Sequence, residues 1–334
     1  VRAILPAFLY FLGIFLGVHF KAKKLGLKGL PREELPKWGK LLPKIYLLLP
    51  LVLLVYMIVS GQTMAKSAIY ATIAAIAVSL INKDDRMTPT KFVNGLENGG
   101  KNCISIGIAC GIAGIISVCI TMTGLGGKLI TYVVSLSNGH LIIALFLTMI
   151  CCIVLGMGVP TTANYIIMAS TCAPILINGM GMHVLAANMF VFYFGIVADI
   201  TPPVALAAYA GSAIAKAPPM KTAFNATRLA IAAFIIPYIF AFNNAMIFVG
   251  DDVTVWSVAS ITISATLGML SIASGLMGYL IHDLKWISRI ALIAGGLLMI
   301  IPGTVSDLAG FAVLAAIFVL QTIENKKEKK AASV

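Results

Sequence analysis

Leu155 to Ile166 read LGMGVPTTANYI, and how this stretch is resolved decides the fold of everything around it. It continues the apolar run 141–155, yet it packs two glycines, a proline, two threonines and an asparagine into a segment at membrane depth. By hydropathy alone 156–180 is one helix of about 25 residues, long enough to span a bilayer. Against this, Gly156, Gly158 and Pro160 cluster at one end, Pro174 falls later, and Asn178-Gly179 closes the stretch with a turn signal. Irregular backbone at that depth survives only where protein buries it or water lines it, since each unsatisfied amide or carbonyl costs several kcal/mol in lipid. The economical reading is a re-entrant hairpin over 156–180. Its tip lies either at Gly156 to Thr162 or within MASTCAP, 168–174; the plainer alternative is one helix kinked at Pro160 and Pro174.

A second interruption, ADITPPV at 198–204, lies inside the long apolar run 184–215. Asp199 is a carboxylate embedded far from any loop, and an intramembrane acid is costly enough to be a functional hypothesis by default. The bland reading is that it only caps or hydrogen-bonds the freed amides of the break. Thr201 before Pro202 reads as an N-cap followed by proline at the first helical position, so a half-helix is expected to begin there. Paired interruptions point to a secondary-transporter site: half-helix N-termini offer amides to an anion, and unwound carbonyls and hydroxyls bind a cation.

The rest of the chain sets these breaks in a membrane. Of 334 residues 60% are hydrophobic and 11% charged, and the mean hydropathy is +1.00. Apolar runs recur at 3–20, 45–59, 67–81, 103–122, 141–155, 184–215, 229–249, 254–281, 286–301 and 306–323. The fold class is all-α: a polytopic membrane protein of about 10–11 transmembrane helices plus one re-entrant hairpin and one broken helix. The net charge of +12 sits in short loops, so it reports topology rather than a nucleic-acid partner. The six cysteines read as small core residues, with no CxxC pair and no histidine at metal spacing. Trp38, Trp256 and Trp286 lie at run ends as interfacial anchors do, and Gly107, Gly111 and Gly114 form a small-residue face suited to helix packing. The chain starts at Val1, directly on an apolar run, and is expected to be part of something longer.

Basic stretches at 21–44, 82–101, 216–228, 285–289 and the ENKKEKK tail belong on one side, the cytoplasm, while the alternate loops carry Asp251, Asp252 and Asp307. An even number of crossings must then separate 82–101 from 216–228. Either 125–137, LGGKLITYVVSLS, is a fourth crossing, or one of 103–122, 141–155 and 184–215 does not span. The first arrangement is adopted; 141–155 then runs outward, and 156–180 enters from the outer face and returns to it. Arg228 is expected to snorkel to the cytoplasmic surface.

GMGVPTTANYIIMAS, FVFYFGIVADITPPVALAAYAGSAIA and RLAIAAFIIPYIFAFNNAMI, with ENGGKN and TGLGGK before them, resemble the large membrane subunit of tripartite ATP-independent periplasmic (TRAP) transporters. The likeness covers roughly residues 1–250 and is nearest to DctM-like forms fused to the small subunit that work with TAXI-type binding proteins. It implies half of an inverted-repeat, elevator-type core: helices after the first repeat at 1–101, the second repeat at 102–250 with hairpin 156–180 and broken helix 184–215, and extra helices at 251–334. It implies a secondary active symporter of the bacterial or archaeal inner membrane, multi-pass with a cytoplasmic tail, importing a carboxylate solute from a periplasmic binding protein. Na+ is the coupling ion and there is no covalent cofactor. The sodium site falls around Gly156, Gly158, Pro160, Thr161, Thr162, Asp199, Thr201 and Pro202, and Asn164 and Pro203 face the solute. The first hairpin and the small subunit are expected upstream of Val1. Partners are thus the binding protein, the small subunit, solute and lipid.

The resemblance implies no enzyme. Two other readings stand beside it: an intramembrane enzyme centred on Asp199, which would need a second ionisable group against that residue, and a non-transporting scaffold whose broken helices serve packing alone.

Overall fold

A computed structural model describes residues 2–27, 29, 31, 39, 42–81, 86–157, 159–203, 205–250, 253–300 and 303–331. Gly158, Trp38, Asp251, Asp252 and every charge of the 28–40 loop lie outside the described residues. The described chain is helical, with no strand beyond a single Tyr279–Asp283 bridge. Five stretches are long and apolar enough to cross a membrane: Ile4–Lys24, Met64–Ile81, Pro219–Phe242, Val255–Met277 and Thr304–Glu324. Shorter apolar helices accompany them at Lys44–Val59, Leu141–Gly156, Val184–Ile200 and Trp286–Leu298. The architecture is the all-α polytopic membrane protein expected from the sequence.

The chain divides into two units, residues 28–107 in one and residues 1–27 with 108–334 in the other. In the smaller unit a 3-10 stretch Leu42–Leu48 leads into α2 (Leu49–Val59), which folds back on α3 (Met64–Ile81). Gly61, at φ +79°, makes that reversal, in a backbone region that glycine enters without the Cβ cost other residues bear.

The larger unit begins with α1 (Ile4–Lys24). The end of α4 (Pro89–Met122) is followed by α5 (Leu125–Ser137), α6 (Leu141–Gly156), α7 (Thr161–Thr171), α8 (Val184–Val197) and α9 (Leu206–Ala215). Then come α10 (Pro219–Leu229), α11 (Ile231–Phe242), α12 (Val255–Met277), α13 (Trp286–Leu298) and α14 (Thr304–Ala331). Gly107, Gly111 and Gly114, read as a packing face, have no other helix among the described residues within 4 Å of where a Cβ would stand.

The core is centred on α8. Phe190 and Phe194 are fully buried and sit edge-on to Tyr238 of α11, at centroid distances of 5.5 and 6.0 Å. The C-terminal helices form a glycine-lined stack: a Cβ on Gly296 would lie 2.7 Å from the Gly268 carbonyl, and one on Gly310 would run into that of Gly295. Without side chains there, α12, α13 and α14 approach backbone to backbone. A Thr254–Ser257 capping box starts α12. Trp256 and Trp286 stand exposed in the first turns of α12 and α13. Arg228 is exposed and donates to the Leu276 carbonyl at the end of α12, beside Arg289, which donates to the Gly275 and Leu276 carbonyls.

Candidate functional site

Three helix ends meet where the sequence breaks. Helix α6 stops at Gly156 because Met157 and Pro160 are extended, at ψ 115° and 143°. Helix α7 then starts at Thr161, its first turn closed by the Asn164 amide on the Pro160 carbonyl at 2.9 Å. The chain therefore turns at 157–160, the first of the two tip positions the sequence left open. Beyond Thr171 the chain passes a widened turn, Ile175–Gly179, before α8.

The directions follow from contacts. A Cβ on Gly156 would meet Ala198, while Met149, lower on α6, shares Tyr238 with Phe190 and Phe194 of α8. Helices α6 and α8 thus run parallel. Met168 reaches Gly156, and Ile175 packs with Ala144, so α7 and the turn after it run back along α6. Helix α6 and the stretch from Thr161 to Gly179 thus pack as an antiparallel pair. Helix α5 lies antiparallel to α6, joined through Asn138 and Gly139, both at positive φ.

Asn164 is the centre of the junction. It is 2% exposed, and its Nδ2 donates to the Gly195 carbonyl of α8 at 3.0 Å. Its Oδ1 is buried with no hydrogen-bond partner among the described residues. The fit is close: a Cβ on Gly156 would lie 2.8 Å from Asn164 Nδ2 and 3.0 Å from Ala198 Cβ, and one on Gly195 3.2 Å from the same Nδ2. Gly195 and Met168, which close this junction, were not singled out by the sequence.

The expected site residues fall into two groups. Gly156, Thr161 and Asn164 surround the junction, Thr161 sharing a narrow cleft with Tyr165, Phe192 and Gly195. Pro160 ends the tip, and Thr162 is exposed on the first turn of α7. The second group continues from α8. Asp199 lies half-buried in a short 3-10 turn, Ala198–Ile200, with no ion pair among the described residues. Thr201 donates its hydroxyl to the Val197 carbonyl at 2.7 Å, closing the end of α8. The Pro202–Pro203 bond is cis, and Pro203 is exposed with its carbonyl accepting from the Tyr209 hydroxyl.

The half-helix expected at Pro202 begins instead at Leu206. Thr201 is extended, at φ −104° and ψ 127°, and its hydroxyl faces back to α8, so it caps the preceding helix rather than the next one. Ala205 precedes α9 at φ +37°. From α10, the Thr227 hydroxyl donates to the Ile200 carbonyl at 2.8 Å and ties the break to the polar connection after α9. Only its place in KTAFNAT could have signalled it.

The arrangement has a defined electrostatic character. Two helix C-termini, of α6 and α8, point carbonyls at the junction, and the partial charge there favours a cation. The N-terminus of α7 leaves free amides at Thr161 to Ala163, which favour an anion. The unpartnered Asn164 Oδ1 and the lone pairs of Thr201 Oγ1 add neutral oxygen donors of the kind hard cations take.

Residues 1–252 match the family model described as tripartite ATP-independent periplasmic transporter, DctM component. No curated protein and no solved structure matches the chain significantly.

Proposed function

Since the chain belongs to the DctM family of TRAP-transporter membrane components, it is a membrane permease, and we propose that it couples solute uptake to sodium at the junction around Asn164. The observation that carries this is the buried Asn164 Oδ1, which has no partner among the described residues and is set between the carbonyl ends of α6 and α8. Sodium fits that setting as a hard cation with oxygen ligands from Asn164, Thr161, Thr201 and main-chain carbonyls, with Asp199 nearby to offset its charge. The backbone around Gly156, Pro160, Thr162 and Pro202 shapes the same wall; Gly158 belongs to it by sequence.

A carboxylate-bearing solute suits the amide end of α7, outside the ion, with exposed Pro203 as a flanking wall. Burial makes Asn164 better placed to hold the ion than to touch the solute. Delivery by a periplasmic binding protein of the TAXI type, a fused small subunit and an elevator motion are part of the same reading, supported by family membership and by the sequence likeness above.

The helix directions also support a simpler topology than the sequence suggested. With α6 and α8 parallel, α6 and α7 form a hairpin that enters and leaves on the outer side. One passage through 103–137 then suffices between the basic loop at 82–101 and the outer turn at Asn138-Gly139. The crossings between 82–101 and 216–228 number two, and charge parity still holds.

The test is uptake in liposomes holding the permease with its small subunit, and binding protein outside. Accumulation is expected to require an inward sodium gradient and to fail with potassium or choline in its place. Asn164→Leu should abolish sodium-dependent uptake and, in detergent, the rise in melting temperature that sodium gives the unaltered protein. Uptake indifferent to sodium, or a sodium-dependent melt unchanged in Asn164→Leu, overturns the assignment.

A further inference from the structure

A second polar recess lies away from the helix junction. A cleft of about 220 Å3 opens where α11 ends, α12 begins and α13 hands over to α14; Asn243, Ser260, Ser264, Thr304 and Asp307 supply its polar lining. Asp307 stands in the first turn of α14, with one carboxylate oxygen buried and without a hydrogen-bond partner among the described residues. No described cation pairs with it.

The cleft adjoins an apolar groove. Ile300 lines both, and Phe242, in the groove, is followed in the chain by Asn243, in the cleft. The groove, about 730 Å3, runs between α6, α11 and α13, past Ile143, Phe146, Phe234 and Ile235. Its one hydroxyl, on Tyr238, is turned to the Met149 sulfur. From Ile231 to Phe242 it follows α11 for roughly 16 Å by helical rise. A polar head recess with a free carboxylate thus caps a long hydrocarbon slot.

We propose that cleft and groove form one binding site for a single phospholipid with a primary-amine headgroup. The ammonium meets Asp307 in a charge-assisted hydrogen bond, and one acyl chain lies along the groove. Acyl chains gain little by leaving bulk lipid for an apolar slot, because both surroundings are equally apolar. Selectivity therefore resides in the head: the half-buried carboxylate favours an ammonium and repels an anionic head. Most of the cleft belongs to the helices after residue 252, and the groove reaches hairpin arm α6, so one lipid would bridge the two.

The test is native mass spectrometry of the delipidated chain in detergent, offered equal amounts of phosphatidylethanolamine and phosphatidylglycerol with matched acyl chains. Retention of the ethanolamine lipid is expected to exceed that of the glycerol lipid roughly tenfold. Asp307→Asn should bring the two to near parity while lipid remains bound. Ile143→Trp, at a 40% exposed groove position, should reduce retention of both. Equal retention by the unaltered chain, or a preference that survives Asp307→Asn, overturns the headgroup assignment. Retention unchanged by Ile143→Trp, or competition by free ethanolamine as strong as by the lipid, overturns the role of the groove.

Discussion

At Gly156 a missing side chain does two things. Ending α6 is the one the sequence announces, since glycine and proline interrupt a helix pattern. Spacing is the other: any Cβ there lies 2.8 Å from Asn164 Nδ2 and 3.1 Å from Met168 Cε. Gly156→Ala is expected to lower stability by about 1–3 kcal/mol, the usual cost of overpacking, read as a fall in melting temperature. Gly114→Ala is the control, because no other helix among the described residues lies within 4 Å of its Cβ position; it should be neutral or gain up to about 1 kcal/mol from helix propensity. The same distinction explains which site residues were legible. Thr161, Thr162 and Asp199 stand out because they are polar among apolar neighbours. Gly195 does not, since a lone glycine in FYFGIVA looks like any small residue of a membrane helix, and its contact with Asn164 spans 31 positions in sequence. Thr227 is hidden for the opposite reason, being one polar residue in a polar connection.

At the level of the helices, both breaks were legible but their geometry was not. Hydropathy reports how apolar a run is and carries no direction, so it gave no sign that α6 runs parallel to α8 with α7 turned back along it. The start of α9 was misplaced because Thr-Pro-Pro satisfies the local rule for a helix start while the Thr201 hydroxyl finds a better acceptor behind it, at Val197. The cost of that choice appears at Ala205, buried and held at φ +37°, a region that costs an L-residue about 1–2 kcal/mol. Ala205→Gly should therefore stabilise the chain by about 1 kcal/mol. A melting temperature that falls would show that the buried methyl contributes more than the strain it carries.

For the whole molecule, the hairpin reading makes a prediction about sidedness. Single cysteines at Asn138 and Gly181, in a background without accessible cysteine, should both react with an impermeant maleimide from outside intact cells. A cysteine at Lys216 should react only after the membrane is opened. Opposite labelling of Asn138 and Gly181 would restore α6 as a crossing. The helices after residue 252 look at first like an appendage, yet their contacts with the rest are intimate. A Cβ on Gly13 of α1 would sit 3.3 Å from the Met269 sulfur, Lys24 bonds the Gly278 carbonyl and pairs with Asp283, and Arg228 is held by Leu276. A chain trimmed after Gly250 to obtain a smaller permease would strand two cations and bare the face of α1 around Phe20 that Ala273 and Met277 cover. Such a product is one that membrane quality-control proteases remove, so poor yield, rather than altered transport, is what the trimming would produce.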